Sequence, residues 1–445
     1  MEQSPAATAG FLPATSIELH HQPFRRRSNS CYSLGRQVQA KVHRDLLMIE
    51  IIIVTWNGKD DTLRCVEAVA SQLRSTRFDS QITVVDNGST DGTTEALLGR
   101  RDVKVLRLRE NRGFTGGIRT AAENSTADFL IFLNNDAIPE EHWLDRLASA
   151  IHDADPDVMA VGGRITDYTG EKVDFAGGFL TFDGHAFQRD FHRPVKESSD
   201  LPPGAELLFA CGGNMIVRRK PYLELGGFDD DFFAYLEDVD FGWRSWLSGW
   251  KTTYEPRAVV RHRSAATSKR LGDFERGVLF ERNALQTAIK NYEAPFLKEA
   301  AGPIFLTFLH RLYHYVMTRN TEVTLLRQEP VGSSKKDVTP PSSGLRRRLA
   351  SWILGRKVAV LDDPLAAMQF RALHWFFENQ DVVMEKRRII QSHRKVSDKL
   401  IFQKFPIRHV ATYEGDQALM SSQLFAALRT SLTSKDQTLD EILWK

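Results

Sequence analysis

The chain has 445 residues, with 59 Lys plus Arg against 57 Asp plus Glu, and its formal charge of +2 argues against nucleic acid as the main partner. At roughly 150 residues per domain there is room for two or three domains, and 42% hydrophobic with 26% charged residues excludes a disordered or collagenous chain. Three scattered cysteines, Cys31, Cys65 and Cys211, make neither a disulfide framework nor a cysteine zinc site. They fit a reducing, cytoplasmic compartment, and the first residues lack the basic and then apolar regions of a secretory leader.

Residues 1 to about 47 show no sustained period, hold Pro5, Pro13, Pro23 and the run Arg25-Arg26-Arg27, and read as an arm. From Met48 the texture changes. Ile49 to Val54 is a buried-strand run and Asp60 to Leu73 is a helical pattern with acidic residues at its start. The alternation continues with a strand at Ile82 to Val85, a helix from about Asp91, a strand at Val103 to Leu108, a helix from about Thr115 and a strand at Phe129 to Leu133. This rhythm predicts a parallel, doubly wound α/β sheet. After about residue 155 the chain turns β-rich and glycine-punctuated, then gives a helix near Asp238 to Ser248 and a strand from Thr252 to Val260. Phe274 to Asn320 reads helical, and Gln328 to Gly344, with three prolines, reads as a linker. The expected divisions are therefore 1–47, 48–292, a helical extension 293–327, the linker 328–344 and a mostly helical 345–445. The apolar stretch Ile304 to Met317 is interrupted by His310, Arg311 and His314, too short a run to span a bilayer.

Ligands of an open α/β sheet sit beyond the carboxyl ends of its strands, and these ends are polar in series: Thr55-Trp56-Asn57-Gly58, Asp86-Asn87-Gly88-Ser89-Thr90-Asp91 and Asn134-Asn135-Asp136. Taken alone, Asp86 to Asp91 is also what a turn with a helix cap looks like. The loop Glu110 to Gly117 precedes a helix, and its glycines would let backbone amides approach a phosphate or simply make a turn. It matches neither the dinucleotide fingerprint nor the P-loop. Asp136, after an apolar strand, suits a hard divalent cation that takes its other ligands from a diphosphate and water. Six carboxylates lie within the twelve residues Asp229 to Asp240, among Phe232, Phe233 and Tyr235. Charges so embedded point to function rather than to a solvated face. His262, at a strand end, is either a surface histidine or a metal ligand.

Thr-Trp-Asn-Gly, Val-Val-Asp-Asn-Gly-Ser-Thr-Asp-Gly-Thr, Glu-Asn-Arg-Gly-Phe-Thr-Gly-Gly, Phe-Leu-Asn-Asn-Asp-Ala and Glu-Asp-Val-Asp-Phe, in that order, resemble the inverting family 2 glycosyltransferases of the GT-A fold. The nearest likeness is their bacterial rhamnosyltransferase-like branch, and the match covers about residues 48 to 292. The resemblance implies a Rossmann-like, mostly parallel sheet with a β-rich acceptor half, followed by a C-terminal helical region. It implies transfer of a sugar, L-rhamnose first, from a dTDP- or UDP-linked nucleotide diphosphate sugar to a hydroxyl of a glycan or lipid-linked acceptor in cell-surface polysaccharide synthesis.

In that scheme Asp86 accepts a hydrogen bond from the pyrimidine base, with Thr55 and Asn57 in the same pocket. Asn87, Gly113, Phe114, Gly117, Asn134 and Asn135 complete the donor half. Asp136 and His262 hold Mg2+ or Mn2+, Asp238 is the general base with Glu237 beside it, and Gly213, Asn214 and Trp243 lie on the acceptor side. Two departures stand out: only the last of Asn134-Asn135-Asp136 is acidic, and Ile118-Arg119 follows the glycines where many relatives carry asparagines. A sugar nucleotidyltransferase would need a Gly-x-Gly-x-Arg loop where Trp56-Asn57-Gly58-Lys59 stands. A non-catalytic nucleotide-sugar-binding scaffold is opposed by the joint presence of Asp86, Asp136, Asp238 and His262. Finally, residues 345–357 combine Arg346, Arg347 and Arg348 with Leu345, Leu349, Trp352 and Ile353 on one helical face. Such a helix either lies peripherally on an anionic membrane or packs on the catalytic domain.

Overall fold

The computed structural model describes residues 47–198, 201–263, 271–319, 363–428 and 435–438. The arm up to residue 46, the linker and the basic 345–357 segment lie outside the described residues. The chain opens with β1 (Met48–Thr55), α1 (Lys59–Ser75), β2 (Asp79–Asp86), α2 (Thr93–Leu98), β3 (Val103–Arg107), α3 (Gly113–Glu123) and β4 (Phe129–Asn134). Strands β3, β2, β1 and β4 lie side by side and parallel. Period-two alternation explains why both faces are covered. Ile51, Ile53, Val84, Ile131 and Leu133 pack with Val66, Val69, Leu144 and Leu147. Ile52, Val54, Val85, Leu130 and Phe132 pack with Ile118, Ala121 and Ala122 of α3 on the other side.

The second half departs from an all-parallel sheet. After β5 (Ala137–Pro139) and α4 (Trp143–His152) come β6 (Val158–Asp167), β7 (Val173–Phe175), β8 (Gly178–Leu180), β9 (Ala186–Gln188), β10 (Glu206–Leu207) and β11 (Asn214–Arg218). Strand β11 inserts antiparallel between β4 and β6, so its amino end, led by Gly213, lies beside the carboxyl end of β4. Next come α5 (Arg219–Glu224), α6 (Glu237–Leu247) and β12 (Lys251–His262), which runs parallel to β6 and delivers His262 opposite Ala137 of β5. The stretch from Phe274 that reads helical consists of α7 (Asp273–Asn291) and α8 (Ala294–Arg319). Described helices of the C-terminal part, Pro364–Glu378, Gln380–Ser392 and Asp398–Lys404, pack on the half that carries the large sheet, with Leu373, Val383, Ile401 and Phe402 in its core. Among the described residues no helix is long and apolar enough to cross a membrane.

Candidate active site

The loops at the strand ends are tied to one another before any ligand is considered. Asn57, at a left-handed φ of 51°, donates its N–H to Ser89 Oγ (2.9 Å) and accepts the Thr90 N–H (2.7 Å). Asn87 donates to Asn111 Oδ1 and to the Gly113 carbonyl, and accepts the Arg112 N–H. Asp86 is fully buried, one oxygen accepting the Ser89 N–H (2.9 Å) and the other the Thr94 hydroxyl. Asn135 donates to Thr55 Oγ1 and Thr62 Oγ1. These bonds explain why the polar residues ending the strands belong together: each loop is satisfied by the next.

A cavity of about 640 Å³ opens over these ends. Thr55, Asn87, Gly113, Phe114, Asn134, Asn135 and Asp136 line one part of it, and Gly213, Glu237, Asp238 and His262 line another. Five residues expected at the site do not line it. Asn57 and Asp86 are spent on the loop bonds just described. Gly117 packs under the cavity, where a Cβ would lie 2.6 Å from Val54 Cγ1. Asn214 is fully buried and bonded to the Arg164 and Ala258 carbonyls and to the Trp143 indole. Trp243 points away from the cavity, donating its indole N–H to Asp398 and packing on Tyr292 and Phe402. These positions support the walls rather than form their surface.

On the side of β4, His262 sits between two carboxylates, with Nε2 3.0 Å from Asp136 Oδ1 and Nδ1 2.8 Å from Asp174 Oδ2. Burial opposes its charge, but the hydrogen bonds to Asp136 and Asp174 outweigh it and hold the imidazolium to about 10. Among the described residues no three His, Cys, Asp or Glu side chains converge as a metal cage. Asp136 and His262 nonetheless have the spacing of two adjacent ligands. Bonds of about 2.1 Å at a right angle put ligand atoms roughly 3.0 Å apart, and with Nδ1 held by Asp174 it is Nε2 that is directed at Asp136. Sequence reading missed Asp174. Its signal was a lone acid between Val173 and Phe175 on a short strand.

The same cavity is lined by Glu237 and Asp238, in the first turn of α6. Asp238 Oδ2 accepts the Gly212 N–H (3.0 Å) and Oδ1 the Val239 N–H (2.8 Å). Glu237 Oε2 is buried with no hydrogen-bond partner. Burial raises both carboxyls; for Glu237 the neighbouring Asp238 adds to it and the group is pushed up to about 8, whereas for Asp238 the two backbone N–H groups pull the other way. Both carboxyls are thus held above the ordinary carboxylate range, and the Gly212 and Val239 N–H groups favour the ionised form of Asp238. Asp240 is taken up by Arg244, Lys290 and Asn291. Among the described residues the wall also holds the aromatic Phe175, Phe187, Phe191, Phe209, Phe280 and Tyr235, together with Arg276.

A 3-2-1-4 parallel half, an inserted antiparallel strand and a cavity at the strand ends have the architecture of the GT-A fold. Residues 50–226 match the family model described as glycosyl transferase family 2. The chain is similar to N-acetylglucosaminyl-diphospho-decaprenol L-rhamnosyltransferase of Mycobacterium tuberculosis, 30% identical over 230 residues that span 45% of this chain and 72% of that one. It is 32% identical over 224 residues to glycosyltransferase AglE of Haloferax volcanii, covering 49% of this chain and 67% of that protein. Among solved structures, GalNAc-T7 with UDP, GalNAc and Mn2+ superposes with a TM-score of 0.45 at 15% identity, over 65% of this chain and 53% of that one. The chain belongs to glycosyltransferase family 2 and is a glycosyltransferase.

Proposed function

We propose that the protein is an inverting glycosyltransferase that moves L-rhamnose from dTDP-L-rhamnose, or another sugar from a dTDP or UDP donor, to a hydroxyl of a glycan or lipid-linked acceptor in cell-surface polysaccharide synthesis. One observation supports the reading: a single cavity is lined by both the Asp136–His262 pair and the Glu237–Asp238 pair, so separate groups are at hand for leaving group and nucleophile. Thr55, Asn87, Asn134 and Asn135 border the donor. For Asp86 to accept the N3–H that uracil and thymine share, the Asn87–Asp91 loop must part, since its carboxylate is covered. Asp136 and His262 hold Mg2+ or Mn2+, and the bound cation would neutralise the charge developing on the departing diphosphate. Asp174, bonded to Nδ1 of His262, would leave Nε2 as the ring nitrogen available to such a cation. On the opposite face of the sugar Asp238 takes the proton of the acceptor hydroxyl.

The aromatic wall with Arg276 suits an acceptor that joins an anionic group to an apolar portion, in keeping with the lipid-linked substrate in the mycobacterial relative's name. A cytoplasmic enzyme with peripheral access to the membrane would meet such an acceptor. Calorimetry with a panel of nucleotide diphosphates tests the donor, with dTDP or UDP expected as the tightest binder in the presence of Mn2+. Tightest binding of GDP or CDP, or full transfer in excess chelator, overturns the reading.

A further inference from the structure

Glu237 and Asp238 hang from a segment, 227–236, whose backbone is strained. Phe233, Tyr235 and Leu236 have φ values of 63°, 71° and 63°, a region that side-chain-bearing residues enter only where their surroundings over-determine it. The surroundings here are specific. Nδ2 of Asn283, a fully buried residue of α7, lies 3.0, 2.9 and 2.8 Å from the carbonyl oxygens of Phe232, Ala234 and Tyr235. Its Oδ1 accepts from Gln286 and Arg282, and Arg282 also donates to the Asp231 carbonyl. One amide thus gathers three carbonyls that an extended strand would turn to opposite sides.

Helix α7 is itself fixed at its carboxyl end. Lys290, fully buried, reaches Asp229 (2.5 Å) and Asp240 (3.2 Å). The Gln380–Ser392 helix then closes the arrangement from outside. Lys386 bonds Asp229 (2.5 Å) and Asp231, Arg387 donates to the Ile289 and Tyr292 carbonyls, and Gln391 to those of Lys290 and Asn291. Burial would raise the Asp229 carboxyl, but Lys290 and Lys386 hold it well below the usual carboxylate range. All of these groups lie beyond residue 226, where the family match ends.

We propose that Asn283 and Lys386 are positioning residues for the Glu237–Asp238 pair, so that a helix of the C-terminal region is part of the catalytic apparatus. The proposal rests on the reading of that pair as catalytic. Its test compares Asn283→Ala, Lys386→Met and Lys386→Arg with the wild type in kcat, donor KM and hydrogen exchange of the 228–238 amides. A displacement of the base by an ångström costs about 100-fold in rate, so Asn283→Ala should lose about that much kcat, with donor KM nearly unchanged because the donor-side loops are held by other bonds. Lys386→Met, with Lys290 still on Asp229, should lose about tenfold by the same effect, and Lys386→Arg should restore most of it. Exchange at 228–238 should quicken in both damaged variants and stay unchanged around Asn57 and Asn87. Should Asn283→Ala not fold, Lys386→Met carries the test, its side chain being 28% exposed and its loss leaving no cavity in the core. Asp238→Asn, measured alongside, separates the two levels. Wild-type activity in that variant overturns the catalytic reading of the pair, whereas an inactive Asp238→Asn beside wild-type kcat per folded molecule in Lys386→Met overturns the bracing.

Discussion

Adjacent carboxylates in unequal surroundings are assigned different work, and Glu237 and Asp238 show how. Two backbone N–H groups favour the ionised form of Asp238, while Glu237 Oε2 has no partner. Asp238→Asn should lower kcat about 100-fold or more, the usual share of a general base, while Glu237→Gln, which imitates the protonated acid, should stay within about tenfold of wild type. Near-normal turnover by Asp238→Asn with a dead Glu237→Gln would reverse the assignment. The pH dependence of stability separates them further. The folded state raises the Glu237 carboxyl to about 8, through burial first and the charge of Asp238 second. That contribution is complete below the unfolded value and is lost as pH rises through about 8. The melting temperature of the wild type should therefore fall relative to Glu237→Gln between about pH 5 and pH 9, and a constant gap over that interval would contradict it. Asp174 extends the same logic to the pair proposed to hold the metal: Asp174→Asn should weaken Mn2+ binding by about 10- to 100-fold, as loss of a partner behind a metal-binding histidine does, and manganese titration reads this without turnover. The chemistry-bearing residues at strand ends were legible because an apolar run followed by Asn or Asp announces itself. Asp174 was not, since nothing in Val-Asp-Phe says which distant histidine it will meet.

At the scale of elements, the alternating strands and helices up to Asn134 were legible from period alone, and the structure moves their ends by only a few residues. The glycine-rich start of α3 illustrates what period cannot tell. Its glycines suggest a phosphate cradle, yet Gly113 has φ 74°, and a Cβ there would lie 2.2 Å from the Phe233 carbonyl oxygen. Gly113 is small because another loop, 120 residues further on, presses against it, with Thr115 donating its N–H to that same carbonyl. Gly113→Ala must therefore move the strained segment that carries Glu237. It should cost about 1–3 kcal/mol for the left-handed backbone alone, and it should reduce activity further than the loss of folded protein explains. Thermal melts paired with kcat per folded molecule check this, and an alanine variant with wild-type stability would show that the two loops do not meet. Strand β11 is the second illegible element. Its antiparallel insertion follows from Gly162, Gly163 and Gly213 allowing close approach of neighbouring chains, a contact between segments some 50 residues apart that no local pattern encodes.

For the whole molecule, the sequence suggests a catalytic domain with a separate C-terminal region beyond a linker, and the structure joins them through buried charge. Arg311 of α8 is fully buried and bonds Asp416 through Nε (3.1 Å) and Nη2 (2.9 Å), with Asp183 at 3.1 Å and Glu281 at 3.6 Å. His185 stands between Asp183 (3.0 Å) and Glu281 (3.1 Å), and Tyr413 donates its hydroxyl to Glu281. The cluster therefore gathers the β8–β9 turn, α7, α8 and the 412–416 segment. The adjoining strand β9 supplies Ala186, Phe187 and Gln188 to the cavity wall. Residues 105 apart in the chain make the central pair, which is why composition and period could not find it. Arg311→Met removes one of two cations facing three acids, and leaving buried charge uncompensated costs about 3–5 kcal/mol. Because four segments share the cation, the damage should appear first where it joins the least extensive one. The wild type is expected to melt in a single transition. Arg311→Met is expected to expose the 412–428 segment to protease at temperatures where the protein still binds the nucleotide diphosphate proposed as its donor. Loss of nucleotide binding and protease resistance together, in one step, would mean that the molecule has a single cooperative unit and that the charge cluster is no seam within it.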